Sequence, residues 1–106
     1  MDKISASHIL IMHKESKNSR SSLSKNEAME LINKIFNELT NENSSFKDLA
    51  SKHSECSSSA YGGSLGEFGK GMMVKDFEES AFALKVGEIC EPIETEFGFH
   101  IIKRDK

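Results

Sequence analysis

The sequence predicts an α+β domain, a small sheet with helices packed on it. Three observations carry that expectation. An early segment is apolar on both faces at strand period. Serine capping signals then open helical stretches, the first with a long apolar stripe. A glycine-rich segment, a further helix and two short strand-like segments finish the chain. Its 106 residues fit a single domain over positions 1–106.

Residues Ile4 to His13 read as the first strand. Ile4, Ala6, His8, Leu10 and Met12 would share one face, Ile9 and Ile11 the other. Apolar residues on both faces suit an inner strand. The polar stretch from Lys14 to Leu23, rich in serine, reads as a loop long enough to be functional.

A helix is expected from Ser24, because Ser24 and Glu27 have capping-box spacing. Ala28, Leu31, Ile32, Ile35, Phe36 and Leu39 follow as one stripe at helical period. Ser45 and Asp48 open a shorter helix through Phe46, Leu49, Ala50 and His53. A serine-rich turn from Ser54 to Ala60 holds Cys56.

The glycine-rich segment that follows allows tight turns and close backbone approach. It leaves room for a short strand near Ser64 to Phe68. Asp76 to Leu84 reads as a helix with Phe77, Ala81 and Leu84 inward, and Gly87 as its stop. Ile89 to Glu94 and Phe99 to Arg104 read as closing strands, joined at Glu96-Phe97-Gly98. Pro92 suits an edge or a strand start.

Composition narrows the function classes. Charged residues make up 29% and apolar residues 37%, ordinary for a soluble globular protein. A net charge of -3 provides no chain-wide basic field for nucleic acid. The first ten residues carry no signal-type apolar run, and no segment is long enough to cross a bilayer, so a cytoplasmic or nuclear protein is expected. Cys56 and Cys90 show no CxxC spacing and read as free thiols in a reducing compartment.

Four segments then stand in order: SHILI at 7–11, FKDLASKHSECSSS at 46–59, GGSLGEFGKGMMVKDFEESAFAL at 62–84, and VGEICEPIETEFGFHIIK at 86–103. Together they resemble the parvulin family of peptidyl-prolyl cis/trans isomerases, most closely the catalytic domain of Pin-type members without the WW domain. The resemblance implies a four-stranded antiparallel sheet surrounded by about four helices. It also implies catalysis of rotation about X-Pro bonds in proteins, a monomer, and no cofactor or metal.

Position by position, His8 and His100 match the family's paired histidines, Cys56 its frequent cysteine, and Thr95 a hydroxyl near them. Leu65, Met73 and Phe77 match the pocket for the substrate proline, and Phe68 an aromatic beside it. Pin-type members also carry a basic loop that recognises phosphoserine or phosphothreonine before proline. Here Lys14, Lys17 and Arg20 would fill that role. The lysine usual near the end of the first strand is replaced by Met12, and the usual arginine pair appears as Lys17-Asn18. Between Lys14 and Lys25, four basic residues face one acid, Glu15, a local +3.

Each feature has a plainer reading. Alone, His8 or His100 would be a core histidine, Cys56 a small buried hydrophobe, and Met73 or Phe77 ordinary core. Lys14, Lys17 and Arg20 could be a solvated loop. The expected partners are proline-containing segments, phosphorylated or not, with no nucleic acid and no membrane. The alternative is a non-catalytic module or chaperone that holds such segments without turnover. A zinc site or a cysteine protease fits less well, since neither the spacing nor the surroundings of Cys56 match those motifs.

Overall fold

The computed structural model describes residues 3–16, 21–42, 44–54 and 62–106. Their elements run β1 (Lys3–Ile11), α1 (Lys25–Asn41), α2 (Phe46–His53), β2 (Ser64–Gly69), α3 (Lys75–Ala83), β3 (Ile93–Thr95) and β4 (Gly98–Arg104). The four strands form one antiparallel sheet in the order β2-β1-β4-β3. The described residues thus contain three helices, roughly the number expected.

Strand alternation divides the core into two clusters. On one face of the sheet Ile9, Ile11, Phe99 and Ile101 pack under α1 and α2. On the other, Ile4, Ala6 and Ile102 pack with Phe68 of β2 and with Phe77 and Ala81 of α3. β1 is therefore covered on both sides, as its composition requires.

Both capping signals operate. Ser24 Oγ accepts from the Glu27 N–H, and the Glu27 carboxylate accepts from the Ser24 N–H. Ala28, Ile32, Ile35 and Leu39 of α1 are buried, with Leu31 and Phe36 partly so. Ser45 Oγ accepts from the Asp48 N–H at the start of α2. α3 begins instead at Val74, which supplies no side-chain cap.

Two strand ends fall short of the sequence expectation by more than one residue. β1 stops at Ile11, because the backbone just beyond it bonds locally: Ser16 Oγ accepts from His13 N, and His13 O accepts from Ser16 N. The strand expected from Ile89 is present only from Ile93. Ile89 keeps one isolated bridge to Lys103, and Pro92 has no N–H to extend the ladder. In the gap the Cys90 thiol accepts from the Ile102 N–H at 3.2 Å, while Cys90 N donates to Ile102 O.

Two features of the sheet shape what lies above its α3 face. Between Ala6 and Ser7 the β1–β2 register slips: Ala6 pairs with Gly66 and Ser7 with Ser64, leaving Leu65 as an extra residue. Such a bulge re-aims a side chain. Gly63 accepts from the His8 N–H through its carbonyl and has φ of 86°. A Cβ there would overlap the His8 carbonyl, so only glycine fits.

Candidate active site

The sheet register brings the two histidines together. Leu10 lies opposite His100 and His8 opposite Ile102, so His8 and His100 are diagonal neighbours on the α3 face. Their Nδ1 atoms are 3.2 Å apart, and the rings lie within 20° of parallel. The edge of Phe77 meets both rings, each at a centroid distance of 5.4 Å.

Thr95 extends this pair. Its Oγ1 lies 2.7 Å from His100 Nε2 and accepts from the Phe97 N–H at 3.2 Å. Thr95 stands at the end of β3, pairing with Gly98 across the turn. The short turn therefore brings the hydroxyl back against the His100 ring on the neighbouring strand β4.

Both histidines are buried. Burial pushes His100 down from 6.5 to about 3, with the neighbouring His8 as a second cause. At neutral pH the His100 ring is uncharged, one nitrogen donating and the other accepting. Thr95 and His8 occupy its two sides, so the ring is hydrogen-bonded through both nitrogens. His8 Nε2 has no hydrogen-bond partner among the described residues.

A cavity of about 420 Å³ opens over the histidine pair. His8, His100 and Leu10 form its floor, and Leu65, Met73 and Phe77 stand around it. The bulge explains the place of Leu65. Phe77 comes from the buried face of α3. Met72, Val74 and Phe97 complete the lining.

The expected residues are thus distributed as follows. His8, His100, Thr95, Leu65, Met73 and Phe77 converge on one site. Phe68 lies behind the wall rather than in it. It is buried in the α3 cluster and supports Phe77 at a centroid distance of 6.2 Å, because its β2 position pairs with Ile4. Cys56, Lys17 and Arg20 lie outside the described residues.

Lys14 is exposed, and its N–H donates to Leu23 O at 2.8 Å, which closes the base of the segment between them. Lys14 also adds a small pull on the Glu27 carboxyl, which is held below its usual range first by the Ser24 N–H and hydroxyl. Lys25 pairs with Glu94 at 3.0 Å. Leu10, Met72, Val74 and Phe97 were not singled out by sequence reasoning. An aromatic at a hairpin tip was the available signal for Phe97.

The residues match a known family. The family model for the PPIC-type PPIase domain, Rotamase, matches residues 8–106. The chain belongs to the parvulin family. It is 45% identical over 113 residues to the peptidyl-prolyl cis-trans isomerase Pin1 of Digitalis lanata, covering 97% of this chain and 96% of that protein. It is 48% identical to pin1 of Schizosaccharomyces pombe, covering 96% of this chain but 62% of that protein.

Among solved structures, the peptidyl-prolyl isomerase ESS1 from Candida albicans superposes with a TM-score of 0.95 at 35% identity, covering 98% of this chain and 63% of that one. TbPIN1 superposes with a TM-score of 0.87 at 33% identity, covering 98% and 97%. This parvulin is a peptidyl-prolyl cis/trans isomerase acting on proline-containing protein segments. The non-catalytic module is thereby set aside.

The arrangement suits that reaction. Rotation about the X-Pro bond has a barrier of about 18–20 kcal/mol, because it breaks amide resonance. No bond to a heavy atom is made or lost. Binding the twisted amide better than either planar form is enough. A twisted amide has lost the charge separation of resonance, so an apolar lining disfavours it less than it disfavours the planar forms.

Proposed function

We propose that this parvulin seats the substrate proline ring against Leu65, Met73 and Phe77, turns the preceding amide over the His8–His100–Thr95 chain, and favours phosphoserine or phosphothreonine before the proline. The observation that carries the reading is the hydrogen-bonded histidine pair at the floor of an apolar cavity. A neutral His100 keeps that floor free of a fixed cation from this ring, which presents an oriented dipole instead. Cys56 would act beside them by a non-covalent, electrostatic role.

A phosphate then needs cations from elsewhere. The segment between Lys14 and Leu23 begins shortly after β1, the strand whose Leu10 lines the cavity. Because Lys25 is engaged by Glu94, the reading assigns the phosphate to Lys14, Lys17 and Arg20. Charge-assisted hydrogen bonds from such side chains are the strong ones.

Exchange NMR on matched Ser-Pro, Glu-Pro and phosphoSer-Pro peptides tests the reading. The expected order of acceleration is phosphoSer-Pro, then Glu-Pro, then Ser-Pro. The Lys17→Ala, Arg20→Ala double variant should slow exchange on the phosphopeptide alone. Equal acceleration of all three peptides would overturn the phosphate preference. Unchanged exchange in Phe77→Leu and Leu65→Ala variants would overturn the seating of the ring.

A further inference from the structure

The cavity is larger than one five-membered ring requires. At about 420 Å³ it falls within the range of roughly 300–1,000 Å³ that encloses drug-sized ligands. Leu65, Met73 and Phe77 account for the proline. Met72, Val74 and Phe97 line the rest, and none carries a charge.

Two local features show that this second wall is maintained against ordinary preferences. Met72 is 66% exposed, one of three exposed large hydrophobic residues among the described ones. Its side chain is nonetheless held, since its Sδ accepts from the Gly69 N–H at 3.3 Å. Val74 occupies the N-cap of α3, where Ser, Thr, Asp or Asn would satisfy a free N–H. A valine there leaves the helix without a side-chain cap and gives an apolar surface to the cavity instead. Local rules broken at a site point to function.

From this geometry we infer that Met72, Val74 and Phe97 form a subsite for an apolar side chain on the residue that follows the substrate proline. The inference rests on the proposed function, which gives the residue before the proline to the basic segment. The residue after it is the one we assign to this lining, which belongs to the same cavity as the proline site. Aliphatic and aromatic side chains suit it. Met72 adapts to either shape, and Phe97 offers a ring face or edge. Acidic or basic side chains would meet no opposite charge among these three residues.

Exchange NMR on peptides of the form Ala-phosphoSer-Pro-X-Ala and Ala-Ser-Pro-X-Ala, with X as Phe, Leu, Ala, Lys or Glu, tests the subsite. With the natural protein, X as Phe or Leu should raise kcat/KM over X as Ala by roughly tenfold, the equivalent of about 1.4 kcal/mol. The ratio is taken within each series, so it holds or fails independently of any phosphate preference. Val74→Ser should keep or raise the Tm by restoring a cap, and Met72→Gln should leave it near the natural value. Each should cut the Phe-over-Ala ratio severalfold. Equal rates for every X would overturn the subsite, as would a ratio that survives both substitutions.

Discussion

The two faces of the sheet are built from the same two central strands, β1 and β4, and differ in what closes over them. Toward α1 and α2, Ile9, Ile11, Phe99 and Ile101 meet an aliphatic stripe and are buried beneath it. Toward α3, His8 and His100 replace aliphatic residues at the same alternation, and a cavity remains above them. α3 is nine residues long and uncapped by a side chain. Both faces carry a core cluster, but only the α3 face also holds buried polar rings beneath a cavity.

The largest expected effect separates the faces by stability. Ile101→Ala should cost about 2–5 kcal/mol, as large-to-small changes in tight cores do. Urea denaturation measures it, and exchange activity well below the midpoint should stay near the natural level. A Phe77→Leu change should act in the opposite sense. Losing part of about 1.5–3 kcal/mol of apolar contact should lower kcat/KM up to roughly a hundredfold, with a smaller shift in denaturation midpoint.

The next comparison uses pH. His100 is neutral in the folded protein down to about 3, while the unfolded chain takes up its proton near 6.5. Between those values the unfolded state binds more protons, so stability rises with pH and is lost as pH falls. The slope contributed by this group reaches about 1.4 kcal/mol per pH unit. Urea midpoints at pH 7, 5.5 and 4.5 should therefore fall more steeply in the natural protein than in His100→Asn. Equal slopes would show that His100 does not stay neutral on burial.

The smallest effect belongs to the closed face. Ser24→Ala removes one half of the capping box and should cost about 1 kcal/mol, read as a lower midpoint with exchange on Ser-Pro peptides retained.

Much of this was legible in the chain. Capping boxes and apolar stripes are local, so α1 and α2 could be read from Ser24, Ser45 and the residues just after them. The double-sided apolar pattern of β1 announced an inner strand. The ladder beside Pro92 was not legible. There the Cys90 thiol stands in for a backbone acceptor, a substitution that needs both chain segments in place.

The site divides in the same way. Residue types and motif order determined that this chain carries two histidines, a threonine and an apolar set suited to proline, and the family resemblance indicated their roles. Only tertiary structure decided that His8 and His100 meet at 3.2 Å, because that depends on register between strands that hold residues 92 positions apart. It also decided that Leu65 turns toward the cavity while Phe68 withdraws behind it, through one extra residue in β2. Local sequence fixes which side chains are available. Register and bulges fix which of them face each other, since a one-residue slip sends a side chain to the other side of a sheet.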